Sequence, residues 1–471
     1  MTYIAPRETR HVLGEELLTL NDHLLRRSWP DVVYIAFSNN DIKGQISSDW
    51  MRMGLIPPHL EIEVPYGALL PKGLENILVT GKAVSTTHDS LAAIRMQSDM
   101  ENLGAATAAA AVMAVKQGIP PRKVDVETLQ IKLVKMDLLP EGVLSRKLVP
   151  ISFSEKEIEE LIASIDENHP LYEYSDMRLD QVFQERIALV DVVTSGPKAI
   201  PLLEKALNQA GGKRRVLLAQ MLAMMGAATS VPALVEELQK ELSGERLPVR
   251  EHEVAQVDRF APDQAAMPVA ANLLYSLGMA RDRGALPVWQ RVVDLLKYAS
   301  QEDVTSQEKA VYHYVDAVCV GAEQLGDPAA APILKQLHDY PVFHGQALSS
   351  GFQANYLKER QAYLEVVIGR SLARCGSAEG LVVLINYLND ARGLLAEQAH
   401  DELIAITGQD FGKDVKAWTE WLEAEGEFLK PTPWVGPTEA QAVWGEELLT
   451  TKMKNPRMAF GRDRSGYQAI K

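Results

Sequence analysis

Cysteine is almost missing from these 471 residues: Cys319 and Cys375 are the only two. That excludes a disulfide framework and a four-thiolate zinc site, and it fits a reducing compartment. Positive charge is short as well. Lys and Arg number 48 against 63 Asp and Glu, a net −15, which argues against non-specific binding to nucleic acid or an anionic membrane. Long apolar runs are absent. The longest, Ala105–Val115, is too short to cross a bilayer. The first 20 residues carry Arg7, Glu8, Arg10, Glu15 and Glu16, with no apolar core of a signal peptide. Gly-x-Gly-x-x-Gly, Gly-x-x-x-x-Gly-Lys and Gly-x-Ser-x-Gly are all missing, so nucleotide hydrolysis and α/β-hydrolase chemistry lack support. The histidines form no His-x-x-x-His pair. The nearest groupings are His338 with His344 and His313 with Cys319, and no metal site is expected from them. The basic run Lys213-Arg214-Arg215 reads as a solvated helix face. A cytoplasmic protein with no nucleic-acid and no membrane partner is the expectation.

What is present divides into two grammars, and the length suits two or three domains. The predicted class is α+β and multi-domain, divided as 1–145, a helical connector 146–184, an all-α region 185–425 and an arm or tail 426–471. In the first region, Val32–Phe37 and Ile77–Thr80 read as buried strands because they are short, apolar and β-branched. Glu61–Val64 alternates and stops at Pro65, as a half-exposed strand does. The stretch 152–168 is an acidic amphipathic helix, with Ser154 and Glu157 as its capping box.

From about 185 a small-residue turn followed by a proline-opened helix recurs. Pro201, Pro232, Pro287 and Pro332 anchor it, 31, 55 and 45 residues apart. Proline suits a first helical turn because the N–H it lacks would have no intrahelical partner there. Such hairpins bury one face only by stacking, which predicts a solenoid with a concave side. The loop His344–Gln353 is a candidate lining for that side. This half resembles the HEAT-repeat family, most specifically in the closing segment with Thr407, Gly408, Asp410, Phe411, Gly412, Trp418 and Trp421. The resemblance implies an interaction surface for a protein partner. Trp434 and Trp444 are the residues able to pin the arm onto it.

One segment has a chemical character. Residues 74–118 read as strand, glycine turn at Gly81, polar loop, then a long alanine-rich helix. Ser98 with Glu101 has the spacing of a capping box, and the body Leu103–Val115 reads as buried nearly all round. Gly118, with Pro120 and Pro121, ends it. A helix start facing a strand-end loop is either an anion or dipole site, or simply a capped core helix.

The same segment resembles the C-terminal, flavin-contacting part of the FAD-dependent oxidoreductase family. The likeness lies in Thr80-Gly81-Lys82, Ser85-Thr86-Thr87-His88, Ala93-Ile94-Arg95 and the helix Met100-Glu101-Asn102-Leu103-Gly104-Ala105-Ala106-Thr107. Further pieces, in order, are Arg7-Glu8-Thr9-Arg10, Val64-Pro65-Tyr66, Leu69-Leu70-Pro71 and Val124-Asp125-Val126, so it spans about 3–139. The resemblance implies FAD as cofactor, with Gly81, Lys82 and Ser85 along it. It implies the turn Ser98, Asp99 and Met100, with Gly104 behind, at the isoalloxazine ring. His88 and Arg95 are implied as the catalytic helpers that orient substrate or flavin.

The departures matter too. Lys82 replaces the usual arginine and loses a planar bidentate donor. Asp99 and Glu101 place carboxylates in the implied ring-facing turn, each opposing an anion there by roughly 0.3–1 kcal/mol if partly exposed. Thr107 stands where the family has a second helix glycine. No glycine-rich loop is present for the ADP half. The expectation is therefore a member or subunit of an FAD-dependent oxidoreductase system that does not hold FAD tightly alone, a partner chain supplying the Rossmann half. The alternative is a non-enzymatic HEAT-repeat scaffold with a degenerate flavoprotein remnant.

Overall fold

A computed structural model describes residues 10–38, 40, 46–55, 57–166, 183, 185–249, 267–306, 309–351, 353, 355–425 and 429–450. Arg7-Glu8-Thr9 of the family likeness, much of the connector after 166, Phe352 of the His344–Gln353 loop and the tail beyond 450 lie outside these residues. Among the described residues no helix is long and apolar enough to cross a membrane.

The N-terminal region contains α1 (Leu20–Leu24), β1 (Val32–Ala36), α2 (Asp49–Arg52), β2 (Ile62–Pro65), α3 (His88–Leu91), α4 (Gln97–Gln117), α5 (Val126–Lys135), β3 (Val149–Pro150) and α6 (Glu155–Ser164). All five residues of β1 are buried, as β-branched residues in a covered strand should be. It pairs antiparallel with β2, Tyr34 opposite Val64 and Ala36 opposite Ile62, with an irregularity between Val32 and Tyr34. Helices α4 and α5 pack against β1. The acidic helix α6 opens with both arms of the Ser154/Glu157 capping box in place.

Two expectations fail here. Residues 77–80 form no strand: Val79 N–H donates to Leu69 O at 2.9 Å, but Ile77 is 44% exposed. A strand needs a continuous ladder as well as apolar residues, and no described strand pairs with this one. Likewise α4 is not buried all round. Leu103, Ala106, Ala110 and Met113 face the core, whereas Val112 and Val115 are 44% and 81% exposed. An alanine-rich run shows too little contrast to reveal which face is inward.

The second region is helical: α7 (Ala188–Thr194), α8 (Ile200–Gln209), α9 (Gly212–Met224), α10 (Val231–Glu241), α11 (Val269–Met279), α12 (Leu286–Leu295), α13 (Gln301–Thr305), α14 (Val311–Leu325), α15 (Ala331–His338), α16 (Tyr356–Arg374), α17 (Ala378–Tyr387), α18 (Gly393–Thr407) and α19 (Val415–Glu425). Each anchor proline stands in the first turn of its helix, α8, α10, α12 or α15, behind a short 3-10 turn. The contacts sort these helices into two rows. One runs α7–α9–α11–α14–α16–α18; the other includes α12 on α15 and α17 on α19. In the first row α11 and α14 cross closely. A Cβ on Gly278 would lie 2.7 Å from the Cα of Gly321, so glycine is required there.

The first row is covered by the chain itself. Arg52 of α2 reaches Asp316 of α14 at 3.8 Å, Tyr275 of α11 donates to Asp316 at 2.6 Å, and Gln220 of α9 donates to Met53 O at 2.8 Å. Residues 429–450 then run back along the same row. Leu429 N–H donates to Gly376 O, Thr432 N–H to Arg374 O and Trp434 N–H to Glu323 O. The Arg281 side chain donates to Gly436 O. Thr438 donates to Met224 O at 2.7 Å and the Trp444 indole to Val193 O at 3.0 Å. A short helix, α20 (Glu439–Ala442), and β4 (Leu449–Thr450), antiparallel to β3, complete the return. One buried apolar cluster accordingly extends from Leu18 to Leu448, with a smaller one around Trp418.

Candidate functional site

The site is built where the turn at Gly81 meets the start of α4. Gly81 has φ +73°, a conformation that favours glycine, and a Cβ there would point at Met100 Sδ, 4.0 Å away. The expected strand-end bend and helix start are therefore neighbours. A groove of about 610 Å³ runs farther along α4, between Asn76, Leu78 and Thr80 on one side and Gly104, Thr107 and Ala111 on the other, and of the expected site residues only Gly104 lines it. A Cβ on Gly104 would meet nothing within 4 Å.

The start of α4 differs from the expected register. Its N-cap is Met96, with no side-chain cap. Ser98 lies inside the first turn and is exposed, so the Ser98/Glu101 capping box does not form; Glu101 instead accepts from Gln97 at 3.2 Å. The acid that matters is Asp99. It is 1% exposed, accepts from Tyr34 at 2.9 Å and from Ser38, and is also bonded by the backbone of Phe37 and Met96. Burial raises its carboxyl above the ordinary range, and these hydrogen bonds pull the other way. Asp99 thus anchors the first turn to β1 and turns its charge inward, so it does not oppose an anion at the helix tip. The helix starts two residues early because this buried carboxylate outcompetes an exposed serine cap.

The other expected residues separate. Ser85 is fully buried and accepts from Gly14 N–H at 2.9 Å. Gly14 permits the approach: a Cβ there would sit 2.7 Å from that of Ser85. Lys82 is half-buried in the turn itself. His88 opens α3, its Nε2 3.9 Å from Asp89 Oδ1, while Asp89 accepts from the N–H groups of Ser47 and Ser48. Arg95 is buried just before α4. Neither His88 nor Arg95 lines the groove. Tyr34 and Ser38 were not foreseen as partners of the helix start, and neither carries a motif that would announce it.

Farther along, the structure joins His338 and His344, whose rings lie 4.6 Å apart. The loop that carries His344 is held by Glu365 of α16 and by Asp390.

With this geometry in hand, comparison with known families finds that residues 2–133 match the model of the FAD dependent oxidoreductase family. The match covers a little over a quarter of the chain. It relates the N-terminal region to FAD-dependent oxidoreductases, for which FAD is the typical cofactor. Comparison with curated proteins finds no match.

Proposed function

We infer that residues 10–139 are the flavin-facing part of an FAD-dependent oxidoreductase system whose Rossmann half comes from a partner chain. One observation carries this reading. Val115, which lines the α4 groove, is 81% exposed, and Leu74 (51%), Ile77 and Val112 on the same two segments are exposed as well. Several large apolar side chains left exposed on two segments mark a candidate interaction site. A partner carrying a sheet would both cover it and give 77–80 the ladder it lacks.

The residues fit the ring end of FAD. Gly81 gives an open turn, Gly104 leaves space, and the first-turn amides of α4 are capped by no side chain. When bound, FAD supplies two-electron hydride chemistry. Gly81, Lys82 and the Ser98–Met100 turn would hold its ring end, the helix dipole favouring negative charge there. His88 and Arg95 would orient the substrate, a small organic molecule, while Ser85 and Asp99 fix the backbone around them. The helical half, read as HEAT-like, carries this region and offers the outer row to a protein partner. The division at 145, 185 and 426 belongs to the same reading.

A second reading is a non-enzymatic scaffold. It is favoured by the core shared between the halves and by the arm that locks them together, since both turn the N-terminal region into a structural cap. Purifying the full chain alone and with its candidate partner, and recording flavin absorbance, separates the two. Stoichiometric FAD in the complex supports the oxidoreductase. A colourless protein in both preparations leaves the scaffold.

A further inference from the structure

A second constellation lies in the helical half, on α15, α16, α17 and the loop that follows Phe343. These elements enclose a cavity of about 230 Å³ whose wall includes His338, His344, Glu365, Glu379 and Tyr387. His338 and Glu365 are 3% and 5% exposed, while His344 is open to solvent. One nitrogen from each histidine and one oxygen of Glu365 fall within 4.8 Å of one another.

Three details exceed what a packed polar cluster needs. His338 Nε2 stands 3.4 Å from Glu365 Oε1. That is long for a hydrogen bond, yet it matches two ligands of one tetrahedral ion, whose bonds of roughly 2.0–2.1 Å place donors about 3.3 Å apart. The other ring nitrogen, Nδ1, is buried with no hydrogen-bond partner and lies 3.7 Å from Glu379 Oε1. A shift of a few tenths of an ångström would complete the carboxylate–histidine–metal arrangement that fixes the tautomer of a ligating imidazole. Finally, Glu365 is already aimed. Gly345 N–H and Gln346 N–H donate to it at 2.6 Å each, and Tyr387 donates at 2.7 Å.

We propose that His338 Nε2, His344 and Glu365 form a binding site for one divalent transition-metal ion of the zinc class. Glu379 supports His338 from behind, and a fourth position opens into the cavity. Imidazole and carboxylate donors without thiolate suit such an ion. A divalent cation also offsets the buried Glu365 carboxylate, while Glu379 is already paired with Lys335 Nζ at 2.9 Å. Three protein ligands with an open position leave room for water or a small anion.

The test uses the full chain after dialysis against a chelator. Cobalt(II) titration should give visible bands of a four- or five-coordinate site, saturating at one equivalent and displaced by one equivalent of zinc. His344→Ala, at an exposed loop position, should weaken zinc at least about 100-fold while leaving the far-ultraviolet circular dichroism unchanged. Glu379→Gln should weaken it roughly tenfold, whereas His400→Ala, at the separate His400–Asp410 pair, should not change it. Absence of cobalt bands at one equivalent overturns the proposal, as does unaltered affinity in folded His344→Ala.

Discussion

The two halves are stabilised by different kinds of contact. In the helical half the contacts join helices one to three places apart in the chain, α8 on α9, α11 on α14, α14 on α16 and α16 on α17. Local signals therefore suffice to place it. In the N-terminal region the decisive contacts are distant: Asp99 with Tyr34, Gly14 with Ser85, Arg146 with Glu63. Its two-stranded sheet is too small to be stable by itself. What completes it is the helical half, whose first row offers buried polar groups to α2 and the arm. A stacked array thus supplies the core that a fragmentary α/β region lacks.

The sharpest way to break that comparison is to cut the link between the halves. Burial works against the charge of Arg52, but Asp316, Tyr275 and Asp49 hold it protonated. Arg52→Ala leaves the Asp316 and Asp49 carboxylates uncompensated and should cost about 3–5 kcal/mol. Urea denaturation should still show one transition at a lower midpoint; two separated transitions would mean that the halves fold independently.

Asp99→Ala acts within the N-terminal region only. Leaving Tyr34 and Ser38 without their acceptor should cost about 2–3 kcal/mol, and amide exchange should accelerate in the first turns of α4 while α11 and α14 stay protected.

The arm supplies a pH test. Burial, compounded by Asp49, pushes the Glu439 carboxyl up from 4.5 to about 7. Between those values the folded state keeps a proton that the unfolded state has lost. The contribution of this group should therefore be full below about pH 4.5 and be lost as pH rises to 7, up to about 3 kcal/mol in all. Glu439→Gln removes the titration, so melting temperatures recorded from pH 5 to 8 should be flatter than in the parent.

The smallest effect on stability should come from Val115→Lys on the uncovered face, within about 0.5 kcal/mol. Size-exclusion chromatography with the proposed partner chain should nevertheless show weakened association.

Much of this was legible in the sequence, for physical reasons that differ by element. The strands β1 and β2, the Ser154 cap, the proline-opened helices and the Gly118 stop all obey local rules. The start of α4 was misplaced because Ser98 satisfies the cap pattern on paper, whereas burial of Asp99 against β1, more than 60 residues away, decides the register. Ile77–Thr80 has strand composition, but no strand among the described residues pairs with it. Trp434 and Trp444 pointed to an arm held against the helices, but its path was not legible, because its hydrogen bonds go largely to backbone carbonyls at the helix ends, which no side-chain pattern records. His338 and His344 are six residues apart across a turn, a spacing that matches no ligand motif until Glu365 is brought between them.

The central claim is that the Gly81 turn and the tip of α4 meet a flavin ring. Photolabelling the full chain, with its partner present, using an azido-flavin and mapping the modified peptides tests it most directly. The expected label falls between Thr80 and Gly104 and disappears when Gly104→Trp fills the open space beside the helix. Labelling spread over other surfaces, or unchanged by Gly104→Trp, would contradict it.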